Sequence, residues 1–296
     1  MAKKLDVSQV NRRRVTALKQ RFGDDRSIDE LVAHYNIEVE LADRLRASTP
    51  EQRRSLYREV YDQAYRTIPN HPTRRHDPAV RARHAASLVA LLRPYLRRDA
   101  DFVEIGPGSG CALSLEVCRH VRHVTAIDVS TEISRVESHP ANFTHVIYDG
   151  IDINQPPGSA DIVFSNQVLE HLHPNDAVRQ IDDIHRALRP GGVFLFTVPN
   201  RLSGPGDISK YFDTRAATGF HLREYSHWEL RRILKAAGFS TIGAIIGMNE
   251  TYFRFPLALL EGVERALDVM PRPVNGAIAR RRPFSTILRI KMVAYK

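Results

Sequence analysis

The 296-residue chain has only two cysteines, one tryptophan and no apolar run near the 18 or more residues that a membrane span needs. Its start, Met1-Ala2-Lys3-Lys4-Leu5-Asp6, lacks the apolar stretch of a secretory signal, so a cytoplasmic protein is expected. Cys111 and Cys118 are seven apart, which fits neither a CxxC metal site nor a disulfide framework; they read as core thiols on one helix. Repeats and low-complexity segments are missing too. What remains, 43% hydrophobic and 26% charged, suits one large globular α/β domain with an appendage.

Acidic charge is scarce at both ends. Residues 1–100 carry 21 Lys/Arg against 13 Asp/Glu, residues 101–270 carry 15 against 21, and residues 271–296 carry 7 against none. Basic flanks suit a phosphorylated substrate, nucleic acid or an anionic membrane surface; solvated helix faces are the plainer explanation.

Residues 1–98 read as a helical N-terminal extension. Ser27-Ile28-Asp29-Glu30 and Thr49-Pro50-Glu51-Gln52 are capping boxes, and Asp77-Pro78 is a third start, with Val80, Leu88, Leu91 and Leu92 as an apolar face. His71-Pro72-Thr73-Arg74-Arg75-His76 between them is a loop. Residues 99–296 alternate short apolar strands with helices, the pattern of a doubly wound, mostly parallel sheet. Seven strands are expected near 101–105, 123–127, 143–148, 161–165, 192–198, 241–246 and 286–294. Helices should end at Arg189-Pro190-Gly191-Gly192 and at Ala237-Gly238, and Ser226-His227-Trp228-Glu229 should cap another. A long connection from Asn200 to Tyr225 reads as a substrate loop. A helix near 256–270, with Leu260, Val263, Leu267 and Met270 at helical spacing, is inserted before the last strand.

The chemistry begins at Asp101-Phe102-Val103-Glu104-Ile105, a strand that Gly106-Pro107-Gly108-Ser109-Gly110 turns into a helix near Ala112. Glycines there admit a ligand close to the backbone and permit left-handed dihedrals. The third glycine comes one residue early for a dinucleotide fingerprint, and no GK[ST] comes after it, which excludes a P-loop.

Glu104-x-Gly106-x-Gly108-x-Gly110 resembles the first motif of class I S-adenosylmethionine-dependent methyltransferases, and the resemblance continues over about 101–246. It implies S-adenosylmethionine as cofactor, with Glu104 near the methionine ammonium and Gly106, Gly108 and Gly110 beneath the methionine and ribose. Asp128, in Ala126-Ile127-Asp128, matches the carboxylate that binds the ribose hydroxyls. Asp149 in Tyr148-Asp149-Gly150-Ile151 matches the position that meets the adenine amino group, with Gly150 beside it and Ile151 against the ring. Ser165-Asn166-Gln167-Val168-Leu169-Glu170-His171 after the fourth strand adds Asn166 to the cofactor set, and Ala187-Leu188-Arg189-Pro190-Gly191-Gly192 precedes the fifth.

The residues after strand four narrow the acceptor. No Asn/Asp-Pro-Pro-Tyr motif of nucleobase amino methyltransferases is present, and no Pro-Cys pair for a covalent cytosine mechanism. Glu170-His171 resembles the Glu-His of ubiquinone-pathway O-methyltransferases and of glycan- and natural-product-modifying relatives. His221, in Phe220-His221-Leu222-Arg223-Glu224-Tyr225, resembles a segment that brings a second histidine from the loop after strand five. Either would serve as a base for a hydroxyl on a small molecule or glycan intermediate, since an unperturbed imidazole titrates at about 6.5. No metal is expected: the small-RNA 2′-O-methyltransferases use Glu-x-x-Glu-His, and Gln167 replaces the first Glu, while Glu170, His171 and His173 share no helix face.

Tyr57, Tyr61 and Tyr65 form one helical stripe, read as core packing or, failing that, as a lid over the acceptor. The 256–270 helix beside Arg280-Arg281-Arg282 could pack on the sheet or rest peripherally on an anionic membrane. Two other functions stay open: an RNA methyltransferase, which a steep salt dependence of RNA binding would reveal, and a non-catalytic S-adenosylmethionine-binding protein, which would show no turnover.

Overall fold

The computed structural model describes residues 4–72, 77–132, 134, 136, 138–212, 216–248 and 251–296. Among the described residues four N-terminal α-helices come first: α1 Arg12–Phe22, α2 Ile28–Ala47, α3 Pro50–Thr67 and α4 Pro78–Leu92. Capping boxes close the starts of α2 and α3, with the side chains of Ser27 and Thr49 and of Glu30 and Gln52 bonded reciprocally as expected. Asp77 caps α4, whose Leu88, Leu91 and Leu92 are buried; Val80, 41% exposed, lies in the first turn and faces a cavity. Residues 73–76 of the expected loop lie outside the described residues.

The sheet comes next: β1 Asp101–Ile105, β2 His123–Asp128, β3 Phe143–Ile147, β4 Ala160–Asn166, β5 Leu188–Val198, β6 Thr241–Met248, β7 Thr251–Phe255 and β8 Ile290–Tyr295. The order is β3-β2-β1-β4-β5-β8-β6-β7, with parallel pairing from β3 to β5 and antiparallel pairing beyond. Both faces are buried, so the strands alternate between two cores: Phe102, Val193 and Leu195 pack on one side, Val103, Phe194 and Phe196 on the other. Between β1 and β4 the strand order reverses, which opens a crevice beyond their carboxyl ends.

Four expectations need correction. The sheet has eight strands, because Thr251-Tyr252-Phe253-Arg254-Phe255 pairs along β6 as an antiparallel edge. The last strand starts at Ile290, since Phe284–Ile287 is helical. The helix Pro174–Ala187 ends with Leu188 extended and no glycine cap; Gly191, though at φ 77°, falls within β5. Cys111 and Cys118 flank the short helix Ala112–Val117 and do not lie within it, but both are buried, unpaired thiols. Gly238, at φ 100°, does close the helix His227–Ala236, with its N–H on Lys235 O and that of Phe239 on Leu234 O.

The inserted helix runs Leu257–Asp268, with Leu257, Leu260 and Leu267 buried. Met270, expected on the same stripe, lies past the helix end and is exposed; Leu259 and Val269 are exposed too. Among the described residues no helix is long and apolar enough to cross a membrane.

Candidate active site

A cavity of about 570 Å³ fills the crevice and collects side chains from the N-terminal helices, the ends of β1, β2 and β4 and the connection after β5. Its floor is the glycine loop. Gly106, Gly108 and Gly110 have φ of 69°, 64° and 65°, a region that costs a residue with a Cβ. A Cβ on Gly106 would lie 2.5 Å from Val168 Cγ2, whereas one on Gly108 would meet nothing within 4 Å. Gly106 and Gly108 line the cavity; Gly110 does not, and its nearest neighbour is Arg81, which donates to Ser109 Oγ at 2.8 Å.

Glu104 and Asp128, at the ends of β1 and β2, both line the cavity. Glu104 accepts from Ser114 Oγ at 2.5 Å, and Asp128 accepts from the N–H groups of Ser130 at 3.0 Å and Gly108 at 3.4 Å. Burial pushes Glu104 up to about 7, against the pull of Ser114 and with the help of Asp128; burial likewise lifts Asp128 to about 6. Their bonds come from a hydroxyl and from backbone N–H groups, not from a cationic side chain, which makes this end of the cavity receptive to a positively charged ligand. The cationic S-adenosylmethionine that the resemblance implies fits these residues: a backbone free of Cβ atoms and two carboxylates in need of positive charge.

Asn166 also lines the cavity, and its Oδ1 accepts from Thr197 Oγ1 at 2.6 Å. The structure does not bring Asp149, Gly150 and Ile151 into the lining. The Asp149 carboxylate pairs with Arg54 and accepts from the N–H groups of Ile151 at 2.8 Å and Asp152 at 2.9 Å. Gly150, at φ 85°, lies under Tyr57, where a Cβ would come within 2.6 Å of the ring, and Ile151 is in the core. Val129 and Tyr148 line that side instead.

The opposite wall holds both histidines. His171 ends the turn Leu169–His171, and His221 comes from the connection between β5 and the next helix, whose ends are tied by an Asn200–Tyr225 bridge. Their rings meet edge to face, 4.8 Å between centroids. His171 Nδ1 lies 3.1 Å from Phe220 O. A carbonyl only accepts, so Nδ1 carries the proton and Nε2 is left as an acceptor. Burial, and then the neighbouring His221, lowers His171 to about 3. For His221 burial pulls downward, but the 2.7 Å contact from Nδ1 to Glu224 and the charges of Glu170, Asp207 and Glu224 outweigh it and raise the ring to about 9. At neutral pH the pair therefore carries a single positive charge, on His221, beside a neutral His171.

Tyr57, Tyr61 and Tyr65 of α3 all line the cavity, so their stripe serves the site as well as the core. Tyr61 stacks on Phe220 at 5.0 Å and meets His171 edge-on at 6.1 Å. Sequence reasoning missed Glu38 of α2 and Asp207, which also line the cavity. Glu38 accepts from His34 Nε2 at 2.6 Å and from Phe220 N at 3.1 Å. His34 and Glu38 are one helical turn apart, and that spacing was the available signal.

Two groups of side chains come within metal-binding reach among the described residues: His34 with Glu38 and His71, and Glu170 with His171 and His221. The first is encumbered, since His34 Nδ1 must accept from Arg26 at 2.6 Å while Nε2 donates to Glu38. In the second, Glu170 has both oxygens buried without a hydrogen bond, and His171 and His221 each bring a ring nitrogen within reach of it.

The methyltransferase-domain family matches residues 74–243. A probable S-adenosylmethionine-dependent methyltransferase of Mycolicibacterium smegmatis is 31% identical over 201 residues, 64% of this chain and 72% of that protein. One of Mycobacterium tuberculosis is 33% identical over 141 residues, 47% of this chain and 48% of its own length. Among solved structures, the putative methyltransferase in a complex with the Haloferax volcanii Trm112 methyltransferase activator superposes with a TM-score of 0.50 at 21% identity, over 73% of this chain and 90% of that one, a likeness of fold. With the glycine loop and the two carboxylates already in place, these matches establish that the chain belongs to the S-adenosylmethionine-dependent methyltransferases.

Proposed function

We propose that the chain methylates a hydroxyl group of a small molecule or glycan intermediate, with His171 receiving the hydroxyl proton. The observation that carries this is the placement of the His171–His221 pair in the cavity wall, with the Nδ1 proton of His171 directed to Phe220 O. S-adenosylmethionine, when bound, supplies an electrophilic methyl group. Glu104, Gly106, Gly108, Asp128 and Asn166 hold it, and α3 with its three tyrosines covers the cavity as a lid that excludes water.

A hydroxyl does not ionise by itself at neutral pH, so its proton must leave as the oxygen attacks. His171 Nε2 is unprotonated across the neutral range. A second imidazolium beside His221 is disfavoured, and the charge of Glu38 and the Phe220 carbonyl counter this only in part, so His171 takes the proton as the oxygen attacks and not before. The reaction is expected to need no divalent ion, because Gln167 stands where a ligand would be required.

A second reading concerns the acceptor atom. A trans-aconitate 2-methyltransferase of Rhodopseudomonas palustris is 31% identical over 112 residues, 42% of its length, and a carboxylate acceptor would need no base. Incubating the protein with methyl-labelled S-adenosylmethionine and cell extract separates the two. Label is expected in small solutes or glycans, stable to mild alkali as a methyl ether and undiminished after dialysis against a chelator. Alkali-labile label would show a methyl ester, label in RNA would displace the small-molecule reading, and activity restored only by an added divalent ion would overturn metal independence.

A further inference from the structure

A second cleft, of about 1010 Å³, opens beside the methyl-transfer cavity, and His84, Leu88, Asn166 and Gln167 line both. Its walls carry Arg14, Arg21, Lys210, Arg280, Arg289 and Lys291, and among the described residues no carboxylate lines it. The two basic flanks of the sequence thus converge: α1 supplies two of these cations and residues 280–291 supply three.

The cations are held in place. Lys210 Nζ lies 4.7 Å from the centre of the Phe22 ring, and Arg21 lies 5.7 Å from it. Arg280 packs against two glycines: a Cβ on Gly204, at φ 83°, would lie 3.1 Å from its Nη1, and one on Gly276 would lie 3.2 Å from its Nη2. Arg21, Arg280, Arg289 and Lys291 make no salt bridge among the described residues, although the chain elsewhere pairs its arginines freely. Burial, and then the neighbouring Arg289, lowers the Lys291 ammonium, the mark of a cation without a counter-ion.

We propose that this cleft binds the phosphate groups of the methyl acceptor, so that the substrate is a phosphorylated small molecule or glycan whose hydroxyl reaches the cavity past Asn166 and Gln167. Arginine forks match phosphate oxygens two at a time, and a cleft lined by one sign of charge concentrates such a ligand. The inference rests on methyl transfer in the adjoining cavity. A bounded concave site favours a compact polyanion over a duplex or a bilayer.

Calorimetry on the full chain tests it with tripolyphosphate as probe. Binding should weaken with added salt and fall about tenfold or more in Arg280→Ala/Arg289→Ala, while S-adenosylmethionine binding stays intact. In Arg119→Ala, an exposed residue paired with Glu116 and outside the lining of both clefts, it should not change. Intact cofactor binding with no tripolyphosphate binding, or binding indifferent to the double substitution, would overturn the proposal. So would citrate binding as tightly as tripolyphosphate. If RNA or phosphatidylglycerol vesicles bind through the same arginines and tripolyphosphate does not, the cleft serves a macromolecule or a membrane and the proposal fails. Loss of S-adenosylmethionine binding by the unmodified protein would instead sink the assignment of the cavity.

Discussion

His171→Ala should slow single-turnover methylation about 10²–10⁴-fold while S-adenosylmethionine still binds, because a positioned base contributes on that order. His221→Ala should slow it less, since His221 acts through charge and through the ring it packs against. The pH dependence comes from the two shifts. His171, held down at about 3, stays neutral at all working pH values, so no loss of rate on its account is expected between pH 6 and 8. His221, raised to about 9, keeps its proton through that range and releases it near pH 9, where the rate should change. Stability carries the same sign: a histidine raised from 6.5 to about 9 contributes stability that is full below pH 6.5 and lost as pH rises through 9. If neither substitution costs more than a few-fold across pH 6–9, histidine is not the proton acceptor.

Asp176→Ala should destabilise the fold by about 3–5 kcal/mol in urea denaturation, the range for breaking a buried ion pair from one side. Asp176 takes both arms of Arg53, from Nε at 2.5 Å and Nη2 at 3.0 Å, and the Tyr57 hydroxyl at 2.9 Å. Arg53 is only 2% exposed, so its guanidinium cannot turn to water when the carboxylate is gone. Tyr57 in turn accepts from His173 N at 2.8 Å. These bonds fasten α3, and with it the tyrosines over the cavity, to the helix after β4. By contrast, Glu59→Ala, which removes an exposed partner of Arg44, should cost no more than about 1 kcal/mol. A loss below about 1 kcal/mol for Asp176→Ala would show that the pair does not hold α3 down.

What the sequence revealed and what it hid divides by range of interaction. The capping boxes at Ser27, Thr49 and Ser226 and the glycine loop are local patterns, and each stands where the residues put it. Asp128 was legible because a strand end fixes where its side chain emerges. Asp149 was not: its carboxylate is taken up by the N–H groups of Ile151 and Asp152 and by Arg54, 95 residues away. Glu38 meets Phe220 across 182 residues and Arg53 meets Asp176 across 123, contacts that leave no trace in either neighbourhood. The basic flanks were visible as composition, but their meeting in one cleft is a property of the fold. Strand β7 escaped because its five residues, Thr251–Phe255, form a short edge that pairs only with β6 and lacks the alternation of a half-buried strand.

The most direct test of the site is calorimetric titration of S-adenosylmethionine into the unmodified chain, Gly108→Val and Asp128→Ala. Valine at position 108 would combine a left-handed φ of 64° with a branched side chain in the open space above the loop, so binding should be lost. Removing the Asp128 carboxylate should weaken binding by about 1.5–3 kcal/mol, as for a charge-assisted hydrogen-bond pair. Unchanged affinity in both variants would contradict the placement of the cofactor on the loop between β1 and the helix Ala112–Val117.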